Sequence, residues 1–479
     1  MIPGARVSDR SLRRLNPAQK VRERLYRKGG RPNVGLRPVF SGAVSAAMSR
    51  FRTDLLRVLA VTYVVMNHST WNSFVLVGRP DAPFGSWIFA VLNQLGKPSV
   101  LLFLFLSGFA FGVHPRWGRP ENTNLQTFSL GFYRNRALRI IPPYVFMSLI
   151  GFAVVTVRAA LAGKLPLAGG VLETTGTLAL DFLIGLLDGR HMFHLYFVAL
   201  LCYLYVLFPL IVHQARSQST RLPGVPAMIA LALPALVVYL FVDPHNQYYQ
   251  SRIPFVAPAA VAVQNNTPPH LIGWLIYFSY ALPFFFGGVR AGQYSAARAS
   301  GLIAPASPSF VTRQLRKIPG NQNNLVTCVA LAACAFALVF NDFLFHVLST
   351  GQFPDPAGRI WRPWVALYAV AAVLLMWNRA DEAAAPETAF SKRMRGLARL
   401  SFLVYLTHPV LQLVFSGLPF GWRVPLIMGL AWPFAMIFSA LAQRYRFAAF
   451  LFGEGDRTFT ETKPESAPLR PLLSTASIK

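Results

Sequence analysis

A series of long apolar segments constrains this chain more than any other feature. Each segment is close to the ~20 residues that cross a lipid bilayer as an α-helix. The composition agrees, because 54% hydrophobic and 13% charged residues are too apolar a mixture for an ordinary soluble domain. The sequence therefore predicts an all-α protein, a polytopic membrane helical bundle of about ten transmembrane helices. The predicted spans are 55–75, 88–113, 140–161, 195–213, 225–242, 272–289, 325–348, 363–378, 399–416 and 424–443.

The distribution of basic residues predicts the orientation of the chain. A net charge of +28 would suggest nucleic acid as the partner of a soluble protein, but membrane proteins collect Lys and Arg in cytoplasmic loops. With ten spans and a cytoplasmic N-terminus, most of the 46 Lys and Arg residues fall on the inner side, so both termini are expected in the cytoplasm. The further segment 172–187 holds Glu173 and Asp181. A full crossing there would invert the later basic loops, and we interpret it as re-entrant or interfacial.

Both ends of the chain have the composition of tails outside the membrane. Residues 1–50 are basic and lack the apolar core of a signal peptide. They contain nothing that resembles a folded nucleic-acid module. We expect 1–50 and 444–479 to be disordered cytoplasmic tails on either side of a membrane domain of residues 51–443.

Three ionisable residues lie on one stripe of the first predicted span. Eleven helical positions separate Arg57 from His68, which brings them within ~20° of the same face and ~16 Å apart along the axis. Asp54 lies one turn before Arg57 on nearly the same side. Such residues in a lipid-length helix face the protein interior or a wet cavity, and they usually mark a functional path. The structural alternative is that Asp54 and Arg57 form an interfacial ion pair and His68 caps the far end.

Four further motifs follow Arg57 and His68 along the chain, namely Leu102–Gly112, Phe132–Tyr144, His194–Ile211 and Leu397–Leu411. With this series, which has the family order, the chain resembles the acyltransferase family 3 of membrane O-acyltransferases over about residues 50–443. The first span of that family carries an arginine, ten residues and then a histidine, as Arg57 and His68 do in this chain. Family members commonly have Trp at the position of Tyr196.

The same resemblance bears on the N-terminal tail, which is longer than the family's usual lead. Met48 stands two residues before Arg50. A chain that began there would have about the usual distance to its first span. Residues 1–47 are therefore expected either to be dispensable for catalysis or to lie upstream of the true start of the protein.

The resemblance implies an acyl donor, acetyl-CoA or a related acyl-CoA, with Arg136 and Arg139 near its phosphates. Both arginines precede Pro142 at a predicted inner boundary. Residues at i and i+3 share a helix face, and guanidinium groups bind phosphate bidentately. Without the resemblance, the orientation of the chain alone would explain a basic pair at this boundary. The acyl-CoA is a substrate, and no permanently bound cofactor is expected.

Acyl transfer from a thioester needs a base that deprotonates the acceptor and donors that hold the oxyanion. His68 fits the base, because imidazole exchanges its proton near neutral pH, and a neighbouring acid or backbone carbonyl would fix its tautomer. We expect Arg57 to orient the base region or contact the donor, and Asp54 to hold Arg57. The sequence does not distinguish direct transfer from a relay through an acyl-histidine.

Four residues form a second tier of site candidates. Tyr405 and His408 share a face of the ninth span, where the family resemblance places a recurrent His-Pro pair. Ser107 lies among small residues that suit close helix packing, which we favour over catalysis there. His191 and His194 are three residues apart, as a metal pair would be, but no Cys or carboxylate nearby completes a ligand set, and we expect no metal. The second tier is Ser107, His194, Tyr405 and His408.

The predicted function is a membrane O-acyltransferase that moves an acyl group, above all acetyl, from cytoplasmic acyl-CoA to a hydroxyl of a cell-envelope glycan or lipid-linked saccharide. Its partners are acyl-CoA, the acceptor and membrane lipids, with no nucleic acid, and its expected place is a bacterial inner (plasma) membrane. One alternative is a lipid or sugar flippase without acyl-transfer chemistry, which would show internal repeats that we do not detect. Another is the second major family of membrane-bound O-acyltransferases, whose late arrangement of Asn or Asp with His is absent from this sequence.

Overall fold

The fold is known for most of the central part of the chain from a computed structural model. The described residues are 50–71, 84–114, 130–164, 170–192, 194–216, 233–242, 258, 262, 269–299, 323–350, 362–377 and 388–454. No β-strand occurs among these residues, which confirms the predicted all-α class. The predictions for residues 1–49, Met48 included, and for 455–479 fall outside them.

Helices make up nearly all of the described residues. The segment 172–187, interpreted above as re-entrant or interfacial, lies within one continuous helix, α5. A short helix, α13, follows the last predicted span, where a tail was expected to begin, and it packs against α12 and α4. The helices in chain order are α1 (Arg50–Ser69), α2 (Phe84–Gly96), α3 (Ser99–Val113), α4 (Leu130–Leu161), α5 (Gly170–Asp188), α6 (Tyr196–Arg216), α7 (Leu233–Phe241), α8 (Pro269–Ala299), α9 (Asn323–Thr350), α10 (Pro363–Trp377), α11 (Ala389–Val414), α12 (Phe420–Arg444) and α13 (Arg446–Leu451).

Five helical stretches in the described part of the chain are long and apolar enough to cross a membrane. They indicate an integral membrane protein, while the count of about ten spans stays a prediction. The first stretch joins α2 and α3 across Lys97 and Pro98. The five are Gly85–Val113, Phe132–Leu161, Tyr196–Ala215, Ala389–Val414 and Phe420–Arg444.

Helices α1 and α11 pack against each other and run in the same direction. Near their starts, the ring centroids of Phe51 and Phe390 are 5.8 Å apart. Near their ends, the ring centroids of His68 and His408 are 5.5 Å apart. Because the two contacts are separated by nearly the same number of residues on each helix, the helices stay in register along their whole contact. This register places residues from distant parts of the sequence in one layer at each end of the bundle.

Helices α3 and α8 approach each other closely through glycines. A Cβ atom at Gly108 would overlap the carbonyl oxygen of Phe285, and one at Gly288 would overlap that of Phe105. The same overlap recurs one turn further along each helix. Small residues on facing helices let membrane helices pack backbone to backbone. The glycine that follows Ser107 therefore has a packing role.

We expect Gly288→Ala to lower the free energy of unfolding by about 1–3 kcal/mol, because an added methyl group must displace the facing backbone. Thermal unfolding of the purified protein in detergent would measure the change. Gly429→Ala is the matched control, since a Cβ at Gly429 meets no atom within 4 Å and alanine is the better helix former. Equal stability of the two variants would contradict the close packing of α3 on α8.

Candidate active site

Three histidines and a tyrosine meet where the ends of α1 and α11 contact the residues just before α6. The ring of His408 stacks on that of His68 at an interplanar angle of 23°, and its centroid is 5.2 Å from that of His194. The ring of Tyr405 is 5.2 Å from that of His194, and its hydroxyl donates to the His194 carbonyl oxygen. The structure thus brings together His68 and three of the four second-tier candidates. These four residues are named the histidine cluster.

Helical spacing explains where the ring of His408 lies, and a backbone contact explains its tautomer. Tyr405 and His408 share a face of α11 because they are three residues apart. Nδ1 of His408 is 2.8 Å from the carbonyl oxygen of Tyr405 and 3.3 Å from that of Val404. A carbonyl oxygen only accepts hydrogen bonds, so in the neutral ring the proton is assigned to Nδ1 and the lone pair to Nε2. Within the described residues, this buried Nε2 has no hydrogen-bond partner.

A cavity of about 740 Å³ opens beside the histidine cluster. His68 lines the cavity and is partly exposed, whereas the side chain of His408 is fully buried. The wall also includes the ends of α1, α4 and α11 and the first turns of α6 and α12. A ligand in this space, named the His68 cavity, can therefore contact the imidazole of His68 directly.

Asp54 and Arg57 lie near the opposite end of α1. The eleven helical steps from Arg57 to His68 span ~16 Å along the axis. Asp54 is 8% exposed, and its Oδ2 is 3.9 Å from Nε of Arg395 on α11. Arg57 interacts electrostatically with Asp54 and with Arg139 of α4. The structure therefore separates Asp54 and Arg57 from the histidine cluster, and Asp54 has Arg395 as well as Arg57 for a partner.

Arg136 and Arg139 approach the same end of the bundle as Arg57. The guanidinium carbon of Arg136 is 4.7 Å from the ring centroid of Phe111, and its side chain is half-buried while that of Arg139 is exposed. Both arginines act electrostatically on the hydroxyl of Tyr205 on α6. Arg57 and Arg395 thus interact with Asp54, while Arg139 interacts with Arg57 and shares Tyr205 with Arg136, so four arginines from three helices are connected. They are named the arginine cluster, which consists of Arg57, Arg136, Arg139 and Arg395.

A buried network next to the cavity was not found from the sequence. Nζ of the fully buried Lys97 is 5.4 Å from the ring centroid of Trp71, which lines the His68 cavity. Arg362 is 1% exposed and donates to Oδ2 of Asp342 at 2.6 Å and to Oε1 of Gln94 at 2.5 Å. Lys97 and Arg362 each precede a proline at the start of an apolar helix. From the sequence alone, a basic residue at such a position is expected to lie at the membrane boundary. Their burial is the signal that distinguishes them.

Two further sequence candidates have other surroundings. Ser107 is half-buried on α3, and no hydrogen bond between described residues joins it to the histidine cluster. Nε2 of His191 is 2.8 Å from the carbonyl oxygen of Phe182, and the two rings stack with centroids 5.0 Å apart, so His191 and His194 contact different neighbours. Within the ranges that the structure describes, no three His, Cys, Asp or Glu side chains are grouped to hold a metal ion.

Comparison with known proteins gives one result that covers most of the chain. Residues 51–442 match a family model described as an acyltransferase domain. No match was found among curated proteins or among solved structures. The matched segment includes the histidine cluster, the arginine cluster and every helix from α2 to α11. The chain therefore belongs to acyltransferase family 3 and is a membrane acyltransferase.

Proposed function

We propose that this acyltransferase moves an acyl group, above all acetyl, from acyl-CoA to a hydroxyl of a cell-envelope glycan or lipid-linked saccharide. The observation that carries the proposal is the position of His68, which belongs to the histidine cluster and also lines a cavity of about 740 Å³. Small-molecule sites usually have volumes of ~300–1,000 Å³. An acceptor sugar in this cavity would have its hydroxyl within reach of an imidazole.

The arginine cluster supports a donor site at the other end of α1. Guanidinium groups bind phosphate with charge-assisted, often bidentate hydrogen bonds, and CoA carries several phosphates. The pantetheine arm of CoA separates those phosphates from the thioester. A donor aligned along α1 would therefore hold its phosphates at Arg57, Arg136 and Arg139 and extend its thioester over ~16 Å toward His68. In a bacterial inner membrane, the arginine cluster would then face the cytoplasm.

In the proposed reaction, Nε2 or Nδ1 of His68 accepts the proton of the acceptor hydroxyl as its oxygen attacks the thioester carbonyl carbon. The tetrahedral intermediate collapses with cleavage of the carbon–sulfur bond. The imidazolium of His68 then gives its proton to the departing CoA thiolate, so the products are the ester and free CoA. His408, stacked on His68, holds the orientation of the reacting ring.

The proposal is tested with purified protein in lipid nanodiscs, labelled acyl-CoA and a glycan extract of bacterial envelopes. We expect release of CoA that depends on the extract and label that appears on saccharide. A flippase would need neither reaction. Saccharide transport in proteoliposomes without consumption of acyl-CoA would overturn the proposed function.

We expect Arg136→Ala combined with Arg139→Ala to raise the dissociation constant of acyl-CoA at least about tenfold, because two charge-assisted phosphate contacts are lost. Acceptor affinity should not change, since the His68 cavity lies at the other end of the bundle. Titration of each substrate alone would measure both affinities. Arg134→Ala is the control, because Arg134 is an exposed arginine on the first turns of the same helix. An unchanged affinity for acyl-CoA would mean that Arg136 and Arg139 only help to set the orientation of the chain in the membrane.

A further inference from the structure

The His68 cavity is lined by cationic side chains. Arg158, Arg190 and Arg423 all contribute to its wall, and no Asp or Glu occurs among its described lining residues. Nη2 of Arg190 is 3.2 Å from Oδ1 of Asp181, and both side chains of this ion pair are about half exposed. Because that carboxylate offsets only one of three guanidinium groups, the described part of the cavity wall carries net positive charge.

Two of these arginines come from different helices and converge on the cavity. Arg158 is exposed near the end of α4. Arg423 is half-buried on the first turn of α12, with its guanidinium carbon 5.3 Å from the ring centroid of Phe420. No ion pair joins either arginine to another described residue. A guanidinium group in a partly enclosed space attracts an anion more strongly than one in open water, because the surroundings screen it less.

Two polar atoms of the lining residues indicate a hydroxyl-bearing ligand. Oδ1 of Asn67 and Nε2 of Gln412 belong to lining residues, are buried as atoms, and have no hydrogen-bond partner among the described residues. Buried polar atoms are normally paired, since an unpaired one carries a desolvation penalty. One acceptor and one donor are therefore positioned for a ligand that can both donate and accept, as a sugar hydroxyl does.

Aromatic rings complete the wall. Tyr196 and Tyr277 both line the cavity and stack with centroids 5.3 Å apart at an angle of 16°. Such side chains offer an apolar face together with a hydroxyl. A few polar groups that converge on an otherwise apolar pocket give a small-molecule site its specificity.

We propose that the His68 cavity binds an acceptor saccharide that carries an anionic group, a phosphate or a carboxylate, with Arg158 and Arg423 on the anion and Asn67 and Gln412 on hydroxyls. This inference rests on the proposed function, because it treats the cavity as the acceptor side of an acyltransferase. An arginine near a helix end can instead extend to lipid headgroups. The unpaired amide atoms of the lining residues Asn67 and Gln412 favour the saccharide.

The test measures equilibrium binding to purified protein in nanodiscs of zwitterionic lipid, without acyl-CoA. The probes are an oligosaccharide that contains uronic acid, the same oligosaccharide with its carboxyl groups reduced to alcohols, and a hexose 1-phosphate. We expect at least one anionic probe to bind about tenfold or more tighter than the neutral one and to weaken as salt is added. The tighter anionic probe identifies the anion. Equal affinity for all three probes would overturn the inference.

Variants connect the binding to the named arginines. Arg158→Gln and Arg423→Gln should each weaken the anionic probe about tenfold and leave the neutral probe unchanged. Arg444→Gln is the control, since Arg444 lies at the other end of α12 with its guanidinium carbon 5.7 Å from the ring centroid of Tyr445. If Arg423→Gln changes only the association of anionic lipid with the protein, Arg423 is a headgroup anchor and the inference is wrong.

The two proposals fail in different ways. Acyl transfer at equal rates to neutral and anionic saccharides would overturn the anionic acceptor and leave the acyltransferase function standing. Tight binding of an anionic probe by a protein that never consumes acyl-CoA would overturn the proposed function and leave the anion-binding cavity standing.

Discussion

Replacing His68 by alanine is expected to slow acyl transfer by about 10²–10⁴-fold, the usual loss when a general base is removed. The affinity for acyl-CoA should stay the same, because the arginine cluster lies ~16 Å away along α1. The protein should also remain folded, since His68 is partly exposed to the cavity and does not fill a closed core. Transfer rate, donor affinity and thermal unfolding, measured on one preparation, would separate these effects.

A second histidine variant decides which ring is the base. In His408→Asn, the side-chain amide can still donate to the carbonyl oxygen of Tyr405 in place of Nδ1, but the lone pair on Nε2 is lost. If His68 is the base, this variant should lose less activity than His68→Ala. Near-normal transfer in His68→Ala with a large loss in His408→Asn would assign the base to His408. His213→Ala, at an exposed position on α6, is the control.

The members of the histidine cluster could be predicted from the sequence, but their meeting could not. His68, His194, Tyr405 and His408 were each candidates from motifs. The contact between His68 and His408 depends on how α1 packs on α11, two helices that more than 300 residues separate in sequence. Helical periodicity describes one helix at a time. The register between two helices depends on the packing of both surfaces.

The surroundings of Asp54 also depend on a contact between two helices, which periodicity within one helix does not predict. Periodicity predicts that Asp54 and Arg57 lie close together, and in the structure they interact electrostatically within one helix. The third group, Arg395, comes from α11 and reaches Asp54 at 3.9 Å. No spacing rule within α1 indicates that partner.

The helical class followed from the sequence, but the number of membrane crossings did not. Apolar length is a local property, and it predicted the helices well. Helices α1 and α5 carry ionisable residues in otherwise apolar stretches, such as Asp54 in α1 and Asp181 in α5. Composition alone does not separate a crossing with an inward polar stripe from a helix at the interface. The count of about ten spans therefore remains a prediction.

Breaking the ion pair between Arg362 and Asp342 is expected to lower the free energy of unfolding by about 3–5 kcal/mol, because it leaves an uncompensated buried charge. Nη1 of Arg362 is 2.6 Å from Oδ2 of Asp342, and the two side chains are 1% and 2% exposed. Arg362 also donates to Gln94, which is 268 residues away in sequence. The pair thus connects α9 and the start of α10 to α2. Asp342→Leu removes the carboxylate and should show this loss in unfolding experiments in mixed detergent micelles.

The double variant Asp342→Leu with Arg362→Met separates two effects on the free energy of unfolding. One is the contribution of the ion pair, and the other is the cost of leaving one buried charge without its partner. Replacing a buried ion pair by apolar side chains of similar volume is often neutral or stabilising, whereas removing one partner is strongly destabilising. The double variant should therefore recover most of the stability lost in Asp342→Leu, although Gln94 then loses a partner. A double variant that is less stable than either single variant would mean that the network itself is needed to hold α2, α9 and α10 together. Because α2 leads directly to Lys97 beside the His68 cavity, that result would also connect this network to the shape of that cavity.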